Sequence, residues 1–106
     1  MNSTKKLIFF NTLFSKSNIE IIKELQKSNS PLQFKDLKTL QNPKTNKKYS
    51  SRTISESLKE LEEQNIIQNQ IISKNKRKTI GYAITKKGKE TLNIIKEAED
   101  KYKKLN

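Results

Sequence analysis

The hydrophobic spacing of the chain changes abruptly partway along it, and this change limits the folds that the chain can adopt. Before the change, apolar residues recur at the three- and four-residue spacing of an amphipathic helix, and Ser50 stands at the expected N-cap. These apolar residues are Ile54, Leu58 and Leu61. After the change, β-branched residues in 66–73 and 79–84 predict two strands, and the polar segment 74–78 predicts a five-residue turn. The chain therefore contains a helix that leads directly into a β-hairpin.

Further helices are predicted on both sides of this unit. With 106 residues the chain is one domain, 1–106, with a core of about 18–85 and terminal helices over 4–15 and 86–104. Asn65 ends the helix before the hairpin, and Thr85 caps the last helix. The apolar stripes are Leu7, Phe10, Leu13 and Phe14, then Ile19, Ile22 and Leu25, then Phe34, Leu37 and Leu40, and finally Leu92, Ile95, Tyr102 and Leu105. Ser30-Pro31 is either the start of the third of these helices or a short extended piece through Leu32.

The order of elements predicts a mainly α fold with a small β-hairpin. Two helices at a steep angle with a hairpin behind them form a winged helix-turn-helix. We therefore expect a winged helix-turn-helix with extra N- and C-terminal helices.

The excess positive charge of the chain is confined to two windows. The formal net charge is +12, and the segments 37–55 and 74–89 hold five and seven cations without any acid. Elsewhere the charges balance, so the excess indicates a surface for a polyanion. The alternative is a solvated, lysine-rich face in a chain from an AT-rich genome.

Several segments resemble a known group of regulators. These segments are RTISESLKELEEQNII, the basic hairpin after it, GYAITKKGKETL and the upstream PLQFKDLKTL. Over about residues 18–95 they resemble winged-helix transcriptional regulators of the HxlR, MarR and PadR type. The resemblance implies a recognition helix, 51–64, in the major groove and a wing, 74–78, on the DNA backbone or in the minor groove. HxlR members commonly carry an N-terminal cysteine, and this chain has none, so thiol sensing is not carried over. The loop before the recognition helix is also longer than usual.

The candidate DNA contacts come from three segments. Exposed positions near the start of the recognition helix face the bases, the preceding loop flanks the backbone, and the wing carries further cations. These residues are Ser51, Arg52, Thr53, Ser55 and Lys59, then Lys44, Lys47 and Lys48, and then Lys74, Lys76, Arg77 and Lys78. Arg52 is the best candidate for a bidentate contact to guanine, and the alternatives are a phosphate contact or an ion pair with Glu56.

The terminal stripes exceed what a small winged core must bury. In related regulators such helices form the homodimer, which sets two recognition helices about one DNA turn apart. The predicted dimer residues are Leu7, Phe10, Phe14, Leu92, Ile95, Tyr102 and Leu105. The alternative is that these helices pack against their own core.

Composition argues against catalysis and bound metals. The chain has no His and no Cys, and its glycines are Gly81 and Gly88, which excludes zinc fingers, thiol nucleophiles and glycine-rich phosphate loops. An acidic cluster at residues 60–63 is interpreted as a solvated helix face. We expect no enzyme, no cofactor and no metal.

The N-terminal apolar run is not expected to be a signal peptide or a membrane span. It is short and is interrupted by Asn11 and Thr12, and Lys16 stands where a cleavage site would be. We therefore expect a cytoplasmic protein without membrane contact.

Three functions remain open at this point. The first is a homodimeric, sequence-specific regulator on double-stranded DNA. The second is a winged-helix module for protein–protein contact, and the third is a non-specific architectural binder of nucleic acid.

Overall fold

The computed structural model describes residues 11, 13 and 15–105. In this part of the chain, helices and one β-hairpin follow one another in the predicted order. The elements are α1 (Asn18–Lys27), α2 (Phe34–Leu37), α3 (Ser51–Glu63), β1 (Ile67–Lys74), β2 (Arg77–Ile84) and α4 (Lys86–Lys104). The helix–hairpin–helix order confirms the predicted winged helix-turn-helix. Of the predicted dimer residues, Leu7, Phe10 and Phe14 lie outside the described residues.

The helix boundaries follow from local side-chain chemistry. The Ser50 Oγ accepts a hydrogen bond from the Thr53 N–H at 3.1 Å, and the Thr85 Oγ1 accepts one from the Gly88 N–H at 3.0 Å. Asn65 has a φ of 59°, and this left-handed residue turns the chain out of α3. All three predicted caps are confirmed.

The wing hairpin, β1 and β2, has a tighter turn than the sequence suggested. Lys74 pairs with Arg77 as the last register pair, so the turn has two residues, Asn75 and Lys76, with φ values of 53° and 65°. The predicted five-residue turn is therefore wrong. Positive φ at both central residues matches the right-handed twist of the strands, and asparagine adopts it readily.

A third, one-residue strand lies beside β2. Leu32 and Tyr82 exchange backbone hydrogen bonds of 3.0 and 2.7 Å. Of the two interpretations of residues 30–32, the structure therefore has the short extended piece. It leads directly into α2 and ties that helix to the base of the wing.

One core joins α1, α3, the hairpin and the first half of α4. Its buried apolar members are Leu13, Ile21, Ile22, Leu25, Leu37, Ile54, Leu58, Leu61, Ile66, Ile67, Leu92 and Ile95. Leu92 and Ile95 were predicted to lie on a dimer surface, but they are only 2% and 3% exposed because α4 packs against α1 and β2. These two side chains stabilise the protomer itself, as the alternative interpretation of the stripe held.

Glu60 on α3 holds the start of α1 in place. Its carboxylate accepts hydrogen bonds from the Ser15 hydroxyl at 3.3 Å, the Asn18 amide at 3.2 Å and the Lys16 ammonium. The sequence interpretation of this residue as part of a solvated acidic face is wrong. Burial raises the pKa of the Glu60 carboxyl, but the bonds from Lys16 and Asn18 outweigh it, so the pKa lies below its usual value.

We expect Glu60→Gln to lower the free energy of unfolding by about 1 kcal/mol at pH 7. A carboxyl whose pKa is lowered in the folded state stabilises that state above the unfolded pKa, and the effect is lost as the pH falls through the folded pKa. The difference between wild type and variant should therefore shrink below about pH 4.5, the ordinary pKa of a glutamate carboxyl. Urea unfolding from pH 3 to 7 measures it. Glu63→Gln, an exposed change on the same helix, is the control and should stay near zero throughout.

Candidate nucleic-acid interface

The first turns of α3 separate core from surface as the spacing predicted. Ile54 and Leu58 are buried, whereas Ser51, Arg52 and Ser55 are exposed. Thr53 is half-buried, and its hydroxyl accepts a hydrogen bond from the Ser50 hydroxyl at 2.9 Å. The first turn contains no acid. The exposed start of α3 thus combines small hydroxyl side chains, one arginine and the positive end of the helix dipole.

Arg52 forms the intrahelical ion pair that the sequence allowed. Its Nε lies 2.9 Å from the Glu56 Oε1, and its side chain is 89% exposed. The bond from Arg52, together with the nearby charge of Lys16, lowers the pKa of the Glu56 carboxyl. The ion pair is open to solvent, and exposed pairs of this kind contribute little stability. Arg52 can therefore exchange Glu56 for another acceptor at small cost.

The long loop before α3 is a small closed hairpin, which we call the loop hairpin (residues 41–48). Gln41 and Lys48 form an antiparallel bridge, and the Asn42 N–H donates to the Lys47 carbonyl at 2.8 Å. Asn46 makes the turn possible with a φ of 60°. The predicted loop residues Lys44, Lys47 and Lys48 are all exposed on this hairpin. Lys44 also lines a groove of about 710 Å³ with Tyr49 and Thr53, which brings the loop hairpin beside the first turn of α3.

The wing carries its cations at its far end. All four cations are exposed: Lys74 ends β1, Lys76 lies in the turn, and Arg77 and Lys78 begin β2. Their positions are set by the hairpin register, so the basic end of the wing is held by backbone pairing rather than by a flexible five-residue loop. Three of the wing cations, Lys74, Arg77 and Lys78, line a groove together with Lys35 of α2, a residue that the sequence interpretation did not include.

Lys86, Lys87 and Lys89 follow the wing in the same acid-free window. Lys87 donates to the Gln64 carbonyl at 2.7 Å and so binds the C-terminal end of α3. The other two are exposed at the start of α4. At least one of these cations therefore has a structural role.

Among the described residues, no group of three or more acidic, histidine or cysteine side chains is placed to hold a metal ion. In the same part of the chain, no helix has the length and apolar character needed to cross a membrane.

Comparisons with known proteins agree with this architecture. The HxlR-like helix-turn-helix family matches residues 12–105. A search of curated proteins finds no significant match. The structure of the reduced form of the transcriptional regulator YodB from B. subtilis is similar at 27% identity and a TM-score of 0.72, over 94% of this chain and 90% of that one. A candidate transcriptional regulator from Thermoplasma acidophilum, TA0346, shares the fold at 22% identity and a TM-score of 0.62, over 98% of this chain and 91% of that one.

The family match spans nearly the whole chain and includes the helix pair, the wing and α4. The chain therefore belongs to the HxlR-like helix-turn-helix family, and as a winged helix-turn-helix protein of that family it is a DNA-binding transcription regulator.

Proposed function

We propose that the protein is a cytoplasmic, sequence-specific regulator that binds double-stranded DNA as a homodimer. In this proposal α3 enters the major groove, the loop hairpin contacts the backbone beside it, and the wing reaches the next stretch of backbone or the minor groove. The observation that supports it best is the position of the acid-free basic windows. They coincide with the loop hairpin, the start of α3 and the wing, three elements that a winged helix-turn-helix brings to DNA.

The chemistry of α3 suits a recognition helix. Helix N-termini attract phosphate because their first N–H groups are unpaired and the dipole is positive there. Small side chains such as Ser51 and Ser55 allow the helix to approach the base edges closely. Arg52 is long enough to reach a guanine and offers paired donors for it.

Selection of bound duplexes from a random library tests the proposal. We expect enrichment of a palindromic motif with half-sites about one helical turn (about 34–36 Å) apart. A non-specific architectural binder would retain all sequences equally, and a protein–protein module would show no salt-dependent retention of DNA.

Arg52→Ala is expected to relax base preference at one or two positions of each half-site. A bidentate arginine–guanine contact contributes roughly 1–3 kcal/mol of discrimination, so the preference there should fall at least fivefold. Binding to random DNA should change little. Competition between the selected site and single-base variants measures this.

The matched control for Arg52→Ala is Lys48→Ala, which removes a predicted phosphate contact from the loop hairpin. It should weaken binding to selected and random DNA by the same factor. If Arg52→Ala behaves like Lys48→Ala, then Arg52 contacts phosphate and does not read a base.

The dimer surface is proposed on α4 from Ile94 onward and on Leu105, which follows the helix. Ile94, Tyr102 and Leu105 are 59%, 67% and 83% exposed, although each is apolar or aromatic. Ala98 and Tyr102 also line a shallow groove of about 400 Å³ beside the buried Ile95. Several exposed apolar side chains along one terminal helix favour association with a second copy.

We expect the protein to sediment as a dimer of about twice 12.4 kDa, and the double variant Tyr102→Ser, Leu105→Ser to sediment as a monomer at micromolar concentration. Both side chains are exposed, so the protomer should fold unchanged. The control is Ile71→Ser with Ile80→Ser, which removes an exposed apolar pair from the wing instead. It should remain dimeric. A monomeric wild type, or a dimeric α4 variant, would show that the subunits do not meet there.

A further inference from the structure

A cationic groove separates α2 from the wing. It has a volume of about 570 Å³, and its lining brings Lys35 of α2 together with Lys74, Arg77 and Lys78 of the wing. About forty residues of chain separate the two sides, and the groove exists because Leu32 pairs with Tyr82 and places α2 beside β2. The groove lining contains four cations and no acid.

The acid closest to the groove in sequence is already engaged. Asp36 accepts a hydrogen bond from the Gln33 N–H at 2.9 Å and does not line the groove. The four cations therefore repel one another without a counter-charge from the groove itself. An anion seated between them would relieve that repulsion and interact favourably with several charges at once.

The lining of the groove also supplies a hydrogen-bond donor. The Gln33 Nε2 donates to the Thr79 Oγ1 at 2.9 Å, which leaves the Thr79 hydroxyl proton available to another acceptor. The Thr79 hydroxyl is therefore a donor that the groove lining offers to an anion.

We propose that this groove is a phosphate site, and that it holds one backbone phosphate of the bound duplex. The inference rests on the proposed function, because it takes DNA as the source of the phosphate. Lys35 then becomes a DNA contact that ties α2 and the wing to the same strand. A tetrahedral phosphate with several acceptor oxygens fits a groove with cations on both sides and a hydroxyl donor in its lining.

The first test compares two single lysine variants in DNA binding. Lys35→Ala should weaken binding to duplex DNA about five- to tenfold at about 0.1 M salt and make the log–log salt slope less steep by about 0.9, the value for one phosphate contact. Lys96→Ala removes the same charge from an exposed position on α4 and should leave the slope unchanged. Fluorescence anisotropy across salt concentrations measures both. If the two variants behave alike while the wild type binds DNA, the groove holds no phosphate and the inference is overturned, but the proposed function is not.

The second test uses the full-length protein without DNA. Titration with inorganic pyrophosphate at constant ionic strength should shift the amide NMR signals of Gln33, Lys35 and Thr79, and Lys35→Ala should abolish the shifts. Absence of these shifts in the wild type overturns the inference. If the shifts appear but the protein binds no duplex DNA, the proposed function is wrong. The groove would then bind a free phosphate compound and not a phosphate of DNA.

Discussion

The triple variant Lys76→Glu, Arg77→Glu, Lys78→Glu is expected to bind duplex DNA about 100- to 1,000-fold more weakly than the wild type at physiological salt. All three cations are exposed at the far end of the wing. If each neutralises one phosphate, their loss removes the counterion release of three contacts, which is about 100-fold at 0.15 M salt, and the new carboxylates add repulsion. The loss should be the same for selected and random sequences, since phosphate contacts carry no base information.

The salt dependence of binding separates this effect from a folding defect. The wild type should have a log–log slope of about −5 to −7 if the basic segments neutralise roughly six to eight phosphates, and the variant a slope of about −2 to −4. A matched control reverses Lys27, Lys96 and Lys101, which are exposed outside the proposed DNA interface and give the same change in net charge, and sedimentation checks that this control remains a dimer. Equal losses in the two variants would mean that total charge, and not the wing, sets the affinity. A flat salt response in the wild type would remove the wing from the DNA interface.

The features that could be predicted from the sequence are those determined by neighbouring residues. Ser50 and Thr85 cap helices because a hydroxyl reaches an N–H three residues on, and Asn65 ends a helix because asparagine tolerates a left-handed backbone. The change from helical to strand spacing likewise depends only on local order. Each of these signals lies within a few residues of the structure it determines, so one sequence was enough.

The features that the sequence missed depend on contacts between distant segments. Lys35 is an ordinary exposed lysine until the pairing of Leu32 with Tyr82 places it across a groove from Lys78. Glu60 looks like a surface acid until the start of α1 packs over it and surrounds it with donors. An apolar stripe shows that a helix face is covered, but not by what. For this reason the stripe predicts that Leu92 faces a partner subunit, whereas the side chain packs in the protomer core.

The turn of the wing differs from the prediction for another reason. Asn75 adopts a positive φ and closes a two-residue turn, whereas the lysines and arginine around it suggest a five-residue turn. The relevant signal was present, because asparagine in a polar segment between two strands favours a two-residue turn. The high lysine and asparagine content of the chain obscured it, since a single asparagine among many is a weak signal.

Gly88→Ala is expected to destabilise the fold by about 3 kcal/mol, even though the same change in an open helix position stabilises by up to about 1 kcal/mol. A Cβ on Gly88 would lie 2.2 Å from the Ile66 carbonyl oxygen and 2.6 Å from the Ile84 Cγ1. Backbone cannot yield as a flexible side chain does, so α4 must move away from the end of α3.

That movement would also break the N-terminal cap of α4, because the clash and the cap both involve the carbonyl oxygen of Ile66. The Ile66 carbonyl that the new methyl group meets also accepts hydrogen bonds from the Thr85 N–H at 3.0 Å and the Thr85 hydroxyl at 2.9 Å. Thr85 in turn receives the Gly88 N–H. Displacing α4 therefore disturbs the cap together with the packing of Leu92 and Ile95 in the core.

Thermal and urea unfolding of Gly88→Ala beside Lys89→Ala measure the effect. The second variant places alanine one residue further along the same turn at an exposed position, and it should change the free energy of unfolding by less than about 0.5 kcal/mol. A loss of about 3 kcal/mol corresponds to a melting temperature lower by roughly 10–20 °C for a domain of this size. Because helix propensity alone predicts the opposite sign, a Gly88→Ala protein as stable as the wild type would mean that α4 does not approach Ile66 this closely. In that case the position of α4 against the residues that follow α3 would be wrong, and so would the position of the proposed dimer surface that α4 carries.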